Sequence, residues 1–231
     1  HGCVTPGDIV LVDRNCHKSL QHAITMTGAV PVYLIPTRNE YGIIGPIPTE
    51  EFESATITRK IKRCPLIKLK AKGIKLAVVT NSTYDGLCYG LTGIEERLKG
   101  VVDNLHFDEA WYGYARFHPL YQGRFGMSAR GDRKDYPAIF ATQSTHKVLA
   151  AFSQGSMIHV RSGRNRVEHD RFNEAFMMHT STSPQYGIIA SLDVATRMMQ
   201  DSSGRWLIDD TIEEAIFFRK DMVKIGREID K

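Results

Sequence analysis

Ala138-Ile139-Phe140-Ala141-Thr142-Gln143-Ser144-Thr145-His146-Lys147 is the stretch on which the reading of this chain turns. A short apolar run, Ala138 to Phe140, leads into hydroxyl-bearing and basic residues. A small-residue segment, Val148 to Phe152, leads out. The pattern predicts a buried strand followed by a helix, with Lys147 at the junction. A lysine held there among apolar groups is expected to lose its charge readily, because desolvation disfavours the ammonium. A neutral amine can form a Schiff base with an aldehyde. Ser144 and Thr145 add short hydroxyl donors suited to phosphate oxygens. Taken alone, the stretch fits equally a lysine that caps a strand and reaches solvent.

A second anchor lies upstream at Leu105-His106-Phe107-Asp108-Glu109-Ala110-Trp111. Here too an apolar strand runs out, this time into the carboxylate Asp108. In open α/β sheets ligands bind at the carboxyl edge of the parallel strands. A buried aspartate needs a cationic partner, and a protonated pyridine nitrogen supplies one. Asp108 on a ring nitrogen and Lys147 on an aldehyde would together hold pyridoxal 5'-phosphate (PLP).

Working outward, continuous apolar runs predict buried parallel strands at Ile9–Val12, Ala29–Ile35, Leu76–Val79 and Asn104–Asp108. A further strand is predicted over Ser156–Val160. Helices are expected at His17–Thr27, closed by Gly28, and from Thr49 to about Arg63. Shorter ones are expected at Ile94–Leu98, Val148–Phe152 and Phe172–Met178. Gln185 to about Met199 reads as a longer helix with Ile188, Ile189, Leu192 and Val194 facing inward. Ile212, Ala215, Ile216, Met222 and Ile225 recur at helical spacing toward Lys231. Lys68–Lys75 reads as an exposed connection and Ser128–Tyr136 as a surface loop. The aromatics Tyr112, Tyr114, Phe117, Tyr121 and Phe125 suit a subunit interface, a site mouth or a packed loop core. The alternation predicts an α/β fold, a mostly parallel sheet flanked by helices.

The 231 residues are 42% hydrophobic and 24% charged, a balance suited to one large domain with a substantial core. The net charge of +4 is spread among acids and bases with no basic stripe, so nucleic acid is not an expected partner. The four cysteines form no C-x-x-C pair and read as reduced thiols of a cytoplasmic protein. The nine histidines form no metal-ligand cluster, so no metal is expected. No apolar run approaches the ~20 residues that span a bilayer, so no membrane partner is expected. The first residue is His1, which suggests an excerpt or a processed piece.

Five stretches together carry a resemblance. They are Asp13-Arg14-Asn15-Cys16-His17-Lys18-Ser19, Thr80-Asn81-Ser82-Thr83-Tyr84-Asp85-Gly86, His106 to Trp111, Ser144 to Lys147, and Met177-Met178-His179-Thr180-Ser181-Thr182-Ser183-Pro184. In this order the sequence resembles the bacterial ornithine/lysine/arginine decarboxylases, PLP enzymes of the aspartate-aminotransferase-like fold. The resemblance covers nearly the whole chain. It implies Lys147 as the Schiff-base lysine and Asp108 as the carboxylate on the ring nitrogen. His17 would stack on the ring, and Ala110 would touch the opposite face. Ser144 and His146 would contact phosphate or cofactor beside the lysine, with Trp111 near the phosphate or the ring. Ser181 would reach the phosphate of a neighbouring subunit, which implies a homodimer or higher homo-oligomer.

The implied reaction is decarboxylation of arginine or lysine to agmatine or cadaverine. The run Glu109 to Ala115 sits nearer the arginine branch. Residues 1–200 would form an incomplete cofactor-binding large domain, and 201–231 a helix leading toward a small C-terminal domain. That domain and the family's main phosphate loop, placed upstream of His1, are not within these residues. The chain alone is therefore expected to hold cofactor poorly. Two other readings stand beside this one: an aminotransferase of the same fold, which needs the same Asp and Lys, and a non-catalytic assembly module.

Overall fold

A computed structural model describes residues 1–67, 73–129, 131 and 133–229. Its centre is a six-stranded sheet in the order β2-β1-β3-β4-β5-β6. The strands are β1 (Ile9–Asp13), β2 (Val30–Leu34), β3 (Ile74–Thr80), β4 (Val102–Asp108), β5 (Ala138–Gln143) and β6 (Met157–Arg161). The first five are parallel, and β6 joins the edge antiparallel to β5. The expected mostly parallel α/β sheet is thus the observed one. The helices are α1 (Lys18–Thr27), α2 (Ser54–Arg63), α3 (Leu91–Leu98), α4 (Thr145–Val148), α5 (His169–Met177), α6 (Tyr186–Gln200) and α7 (Ser202–Ile229).

Alternate residues of each strand serve opposite faces. One face (Leu11, Val32, Leu34, Ala77, Val79, Leu105, Phe107 and Ile139) packs with Phe52, with Ile57 of α2, and with Leu91, Ile94 and Leu98 of α3. Full burial of each large apolar side chain contributes about 1.5–3 kcal/mol. On the other face Val10 and Val12 pack with Val4, and Phe140 stacks on Phe172 of α5 at 6.4 Å. The continuous apolar runs of the sequence follow from this two-sided cover.

Local chemistry fixes the ends of the elements. His17 caps α1, its ring accepting from the Ser19 amide at 3.3 Å. Gly28 closes α1 with φ +66, and an added Cβ there would meet Pro6 at 3.1 Å. The expected helix from Thr49 divides instead into a 3-10 turn, Thr49–Phe52, and α2, because Glu53 is extended.

The expected helix over Val148–Phe152 is absent. The helix is α4, one turn long, and Leu149 is already extended. The Phe152 amide donates to Ser191 Oγ of α6 at 3.0 Å, so a tertiary partner replaces the helical one. On α6 itself Ile189 and Val194 are exposed, while Ser191 and Ala195 are buried and Ile188 and Leu192 half-buried. The inner stripe follows i, i+3, i+4, i+7 from Ile188, and its small residues let α6 approach closely. Of the four residues expected to face inward, Ile188 and Leu192 lie on this stripe and Ile189 and Val194 do not.

The aromatic stretch after β4 is a packed loop core: Tyr112 is fully buried and meets Tyr114 and Tyr121 edge-on, each at 5.5 Å. The expected connection at Lys68–Lys75 falls mostly on 68–72, outside the described residues, and β3 already begins at Ile74. The Ser128–Tyr136 loop is described except at 130 and 132, and Ser128 is buried. No described helix is long and apolar enough to cross a membrane.

Candidate active site

The carboxyl ends of β1, β3, β4 and β5 open onto one cavity of about 790 Å³. After β1 the chain contributes Asn15, Cys16 and His17 to its wall; after β3, Ser82; after β4, Ala110 and Trp111; after β5, Ser144 and Lys147. Asp108, the last residue of β4, lines it too. The sheet register explains the convergence: Thr80, Asp108 and Thr142 are partners across three adjacent strands, and all three line the cavity.

Asp108 is half-buried, and among the described residues its carboxylate accepts from the Ala110 amide at 3.3 Å, while its main-chain carbonyl accepts from the Asn81 amide at 2.7 Å. Among the described residues no lysine, arginine or histidine is ion-paired with it. Beneath it His106 reaches Thr142 Oγ1 at 3.0 Å, and burial pushes its pKa down. Lys147 is half-buried rather than enclosed, with its Nζ 4.7 Å from the Trp111 ring centroid. Trp111 is not a core residue: it is 36% exposed and meets Tyr84 edge-on.

Six of the sequence-derived residues therefore share the cavity: His17, Asp108, Ala110, Trp111, Ser144 and Lys147. Two stand outside it. His146 turns its Nδ1 to the Gly155 carbonyl at 2.8 Å. Ser181 is exposed, and among the described residues its hydroxyl bonds within its own turn, to Ser183. His17 is exposed and already occupied as the cap of α1.

Sequence reasoning missed Glu109. Next to Asp108, it is wholly buried, and burial raises its pKa to about 7. Its neighbour in sequence drew the attention, and its partners Asn81, Gly126 and Gln143 are far from it along the chain. Among the described residues no group of three or more His, Cys, Asp and Glu side chains is placed to hold a metal ion.

The donor set fits a pyridine aldehyde. A carboxyl group with no ion-paired cation among the described residues, a primary amine, a small side chain at Ala110 and several hydroxyls meet in one concave space. A solved structure of SPT with PLP superposes on 87% of this chain with a TM-score of 0.54 at 17% identity, a likeness of fold alone. The sheet and helices are those of the aminotransferase-like fold.

Within that class the chain belongs to the Orn/Lys/Arg decarboxylase family, whose major-domain model matches residues 1–230. It is 57% identical to lysine decarboxylase LdcA of Pseudomonas aeruginosa over its whole length and 51% identical to the biodegradative arginine decarboxylase of Escherichia coli K12 over 98%. The solved lysine decarboxylase A from Pseudomonas aeruginosa superposes on 95% of the chain with a TM-score of 0.88. The chain spans 31% and 30% of the lengths of those two sequence relatives and 29% of that structure.

Proposed function

We propose that this chain carries the cofactor lysine and the ring-nitrogen carboxylate of a PLP-dependent decarboxylase acting on a basic amino acid. The observation that carries the proposal is the meeting of Asp108 and Lys147, from the ends of neighbouring parallel strands, in one cavity. Lysine is the first substrate to test, because the 57% relative is a lysine decarboxylase, and arginine the second.

When bound, PLP supplies an aldehyde for an amine and a ring that accepts the electron pair left as CO₂ departs. Lys147 Nζ would hold the aldehyde carbon until a substrate amine replaces it. Asp108 would keep a proton on the ring nitrogen, which makes the ring a stronger electron acceptor. Its lack of a protein cation leaves it available for that contact. Ala110 and His17 would cover the two ring faces, an aromatic contact of roughly 0.5–1.5 kcal/mol for His17. Ser144 would reach the phosphate, and Trp111 would screen Lys147 from water. We assign no cofactor contact within this subunit to His146 or Ser181. Ser181 is assigned to the cofactor phosphate of a neighbouring copy, which makes a homodimer the catalytic unit. Helix α7 would lead on toward a further domain.

The test places this chain in a chimera, in the position of the matching segment of the Pseudomonas aeruginosa relative. Borohydride reduction after adding PLP, with peptide mapping, should mark Lys147, and CO₂ should be released from lysine or arginine. Keto acid without CO₂ would favour an aminotransferase. No adduct at Lys147, with the chimera folded, would leave the assembly-module reading.

A further inference from the structure

Two strand ends and one loop amide converge on the carboxyl group of Glu109. Its Oε1 accepts from Asn81 Nδ2, just beyond β3, at 3.0 Å and from the Gly126 amide at 2.7 Å. Its Oε2 accepts from Gln143 Nε2, the last residue of β5, at 3.3 Å. The other amide atom of Gln143, Oε1, lies 3.2 Å from His159 Nε2 on β6. Gln143 and its β6 register partner Met157 both line the cavity of Asp108 and Lys147. They also line a second cavity of about 660 Å³, together with His159, Arg116 and Arg205. Gln143 is thus part of a shared wall, and its amide has two possible polarities.

The polarity follows from Glu109. A carboxylate only accepts, so Gln143 must turn its NH₂ toward it and its carbonyl toward His159. His159 must then carry its hydrogen on Nε2. We propose that Glu109 is a positioning residue which sets the amide orientation of Gln143 and, through it, the tautomer of His159 in the second cavity. A neutral Glu109 would reverse the chain. Its hydroxyl would donate to Gln143 Oε1, Gln143 would donate to His159, and His159 would carry its hydrogen on Nδ1.

The groups around Glu109 favour such a reversal near neutral pH. Asp108 lies beside it on β4, and no cation is among its hydrogen-bond partners. The Asn81 and Gly126 donors hold Oε1, which leaves Oε2 as the atom for a proton. His159 itself is held neutral by burial, which lowers its pKa. The arrangement makes no use of a cofactor and stands whether or not Lys147 binds one.

The test reads the His159 tautomer by long-range ¹H–¹⁵N correlation at pH 8.5, with the resonance assigned by His159→Asn. Wild type should show Nε2–H. Glu109→Gln should show Nδ1–H, because the substituted side chain presents an NH₂ to Gln143. Combining Glu109→Gln with Gln143→Glu should restore Nε2–H, since a carboxylate then faces His159 directly. A loss of packing would not reverse and then restore the signal. Should Glu109→Gln fail to fold, titrating wild type from pH 8.5 to 6.5 should carry His159 from Nε2–H toward Nδ1–H. An unchanged Nε2–H in Glu109→Gln, no restoration in the double variant, or no change in that titration would overturn the proposal.

Discussion

The Lys147 ammonium stands 4.7 Å from the centroid of the Trp111 ring. A cation over an indole face is stabilised by roughly 0.5–1 kcal/mol at a partly exposed site. The contact also fixes where the amine points, since the lysine stem is otherwise flexible. Trp111→Ala should weaken PLP binding about 2- to 5-fold and raise the rate at which an acylating reagent labels Lys147. Trp111→Phe should lie between. Unchanged binding and labelling in Trp111→Ala would show that the ring does not hold the amine.

Among the described residues the Asp108 carboxylate accepts one long hydrogen bond, from the Ala110 amide at 3.3 Å. Its removal should therefore cost the fold little and the site much. A charge-assisted hydrogen bond contributes about 1.5–3 kcal/mol, so Asp108→Asn should weaken PLP binding about 10- to 100-fold. Thermal melting of the cofactor-free chain should change by no more than ~2 °C, the range of a surface substitution within 0.5 kcal/mol. A large loss of melting temperature would mean that the carboxylate is structural.

Strand β1 was legible in the sequence because it is buried on both faces and reads as an apolar run, β3 and β5 because they carry the buried runs Ala77–Val79 and Ala138–Ala141, and β2 and β4 through the buried pairs Val32 and Leu34, Leu105 and Phe107. Asp108 and Lys147 were legible for the same reason: polar groups that follow such runs stand out. Ser82 belongs to the stretch Thr80–Gly86 and lines the cavity just beyond β3. Glu109 was hidden because its partners come from three separate segments, and no local pattern marks a satisfied buried acid. Half of the inner face of α6 was legible, at Ile188 and Leu192; Ser191 and Ala195 were not, because they are small and closeness of packing rather than hydrophobicity selected them. The early end of α4 depends on a hydroxyl of α6, which no window around Lys147 contains.

A second buried acid gives a stability prediction away from the cavity. Glu95 of α3 is 1% exposed, and its Oε2 accepts from Arg133 at 3.0 Å and from Arg161 of β6 at 3.2 Å. Burial raises its pKa, and the two guanidiniums oppose that desolvation only in part. Glu95→Ala would leave two partly buried cations without that carboxylate, at a cost of about 3–5 kcal/mol. Glu95→Gln keeps the shape and should cost less. Urea unfolding would measure both, and a loss below ~1 kcal/mol in Glu95→Ala would show that the arginines find other acceptors.

Glu109 should make the fold more stable in mild acid than at alkaline pH. Burial raises its carboxyl from the ordinary 4.5 to about 7, against the opposing hydrogen bonds from Gly126, Asn81 and Gln143. Between those values the folded chain keeps a proton that the unfolded chain has released. The contribution is therefore complete below pH 4.5 and is lost as pH rises through 7. Its size is about 3 kcal/mol, since each pKa unit corresponds to about 1.4 kcal/mol. Glu109→Gln cannot ionise, so this part of the pH dependence should vanish. Urea unfolding at pH 5 and pH 8 should show a fall in wild type larger by roughly 2–3 kcal/mol than in the variant, since pH 5 already lies above the ordinary 4.5. Equal falls would mean that Glu109 ionises near its ordinary value, and that its hydrogen bonds outweigh its burial.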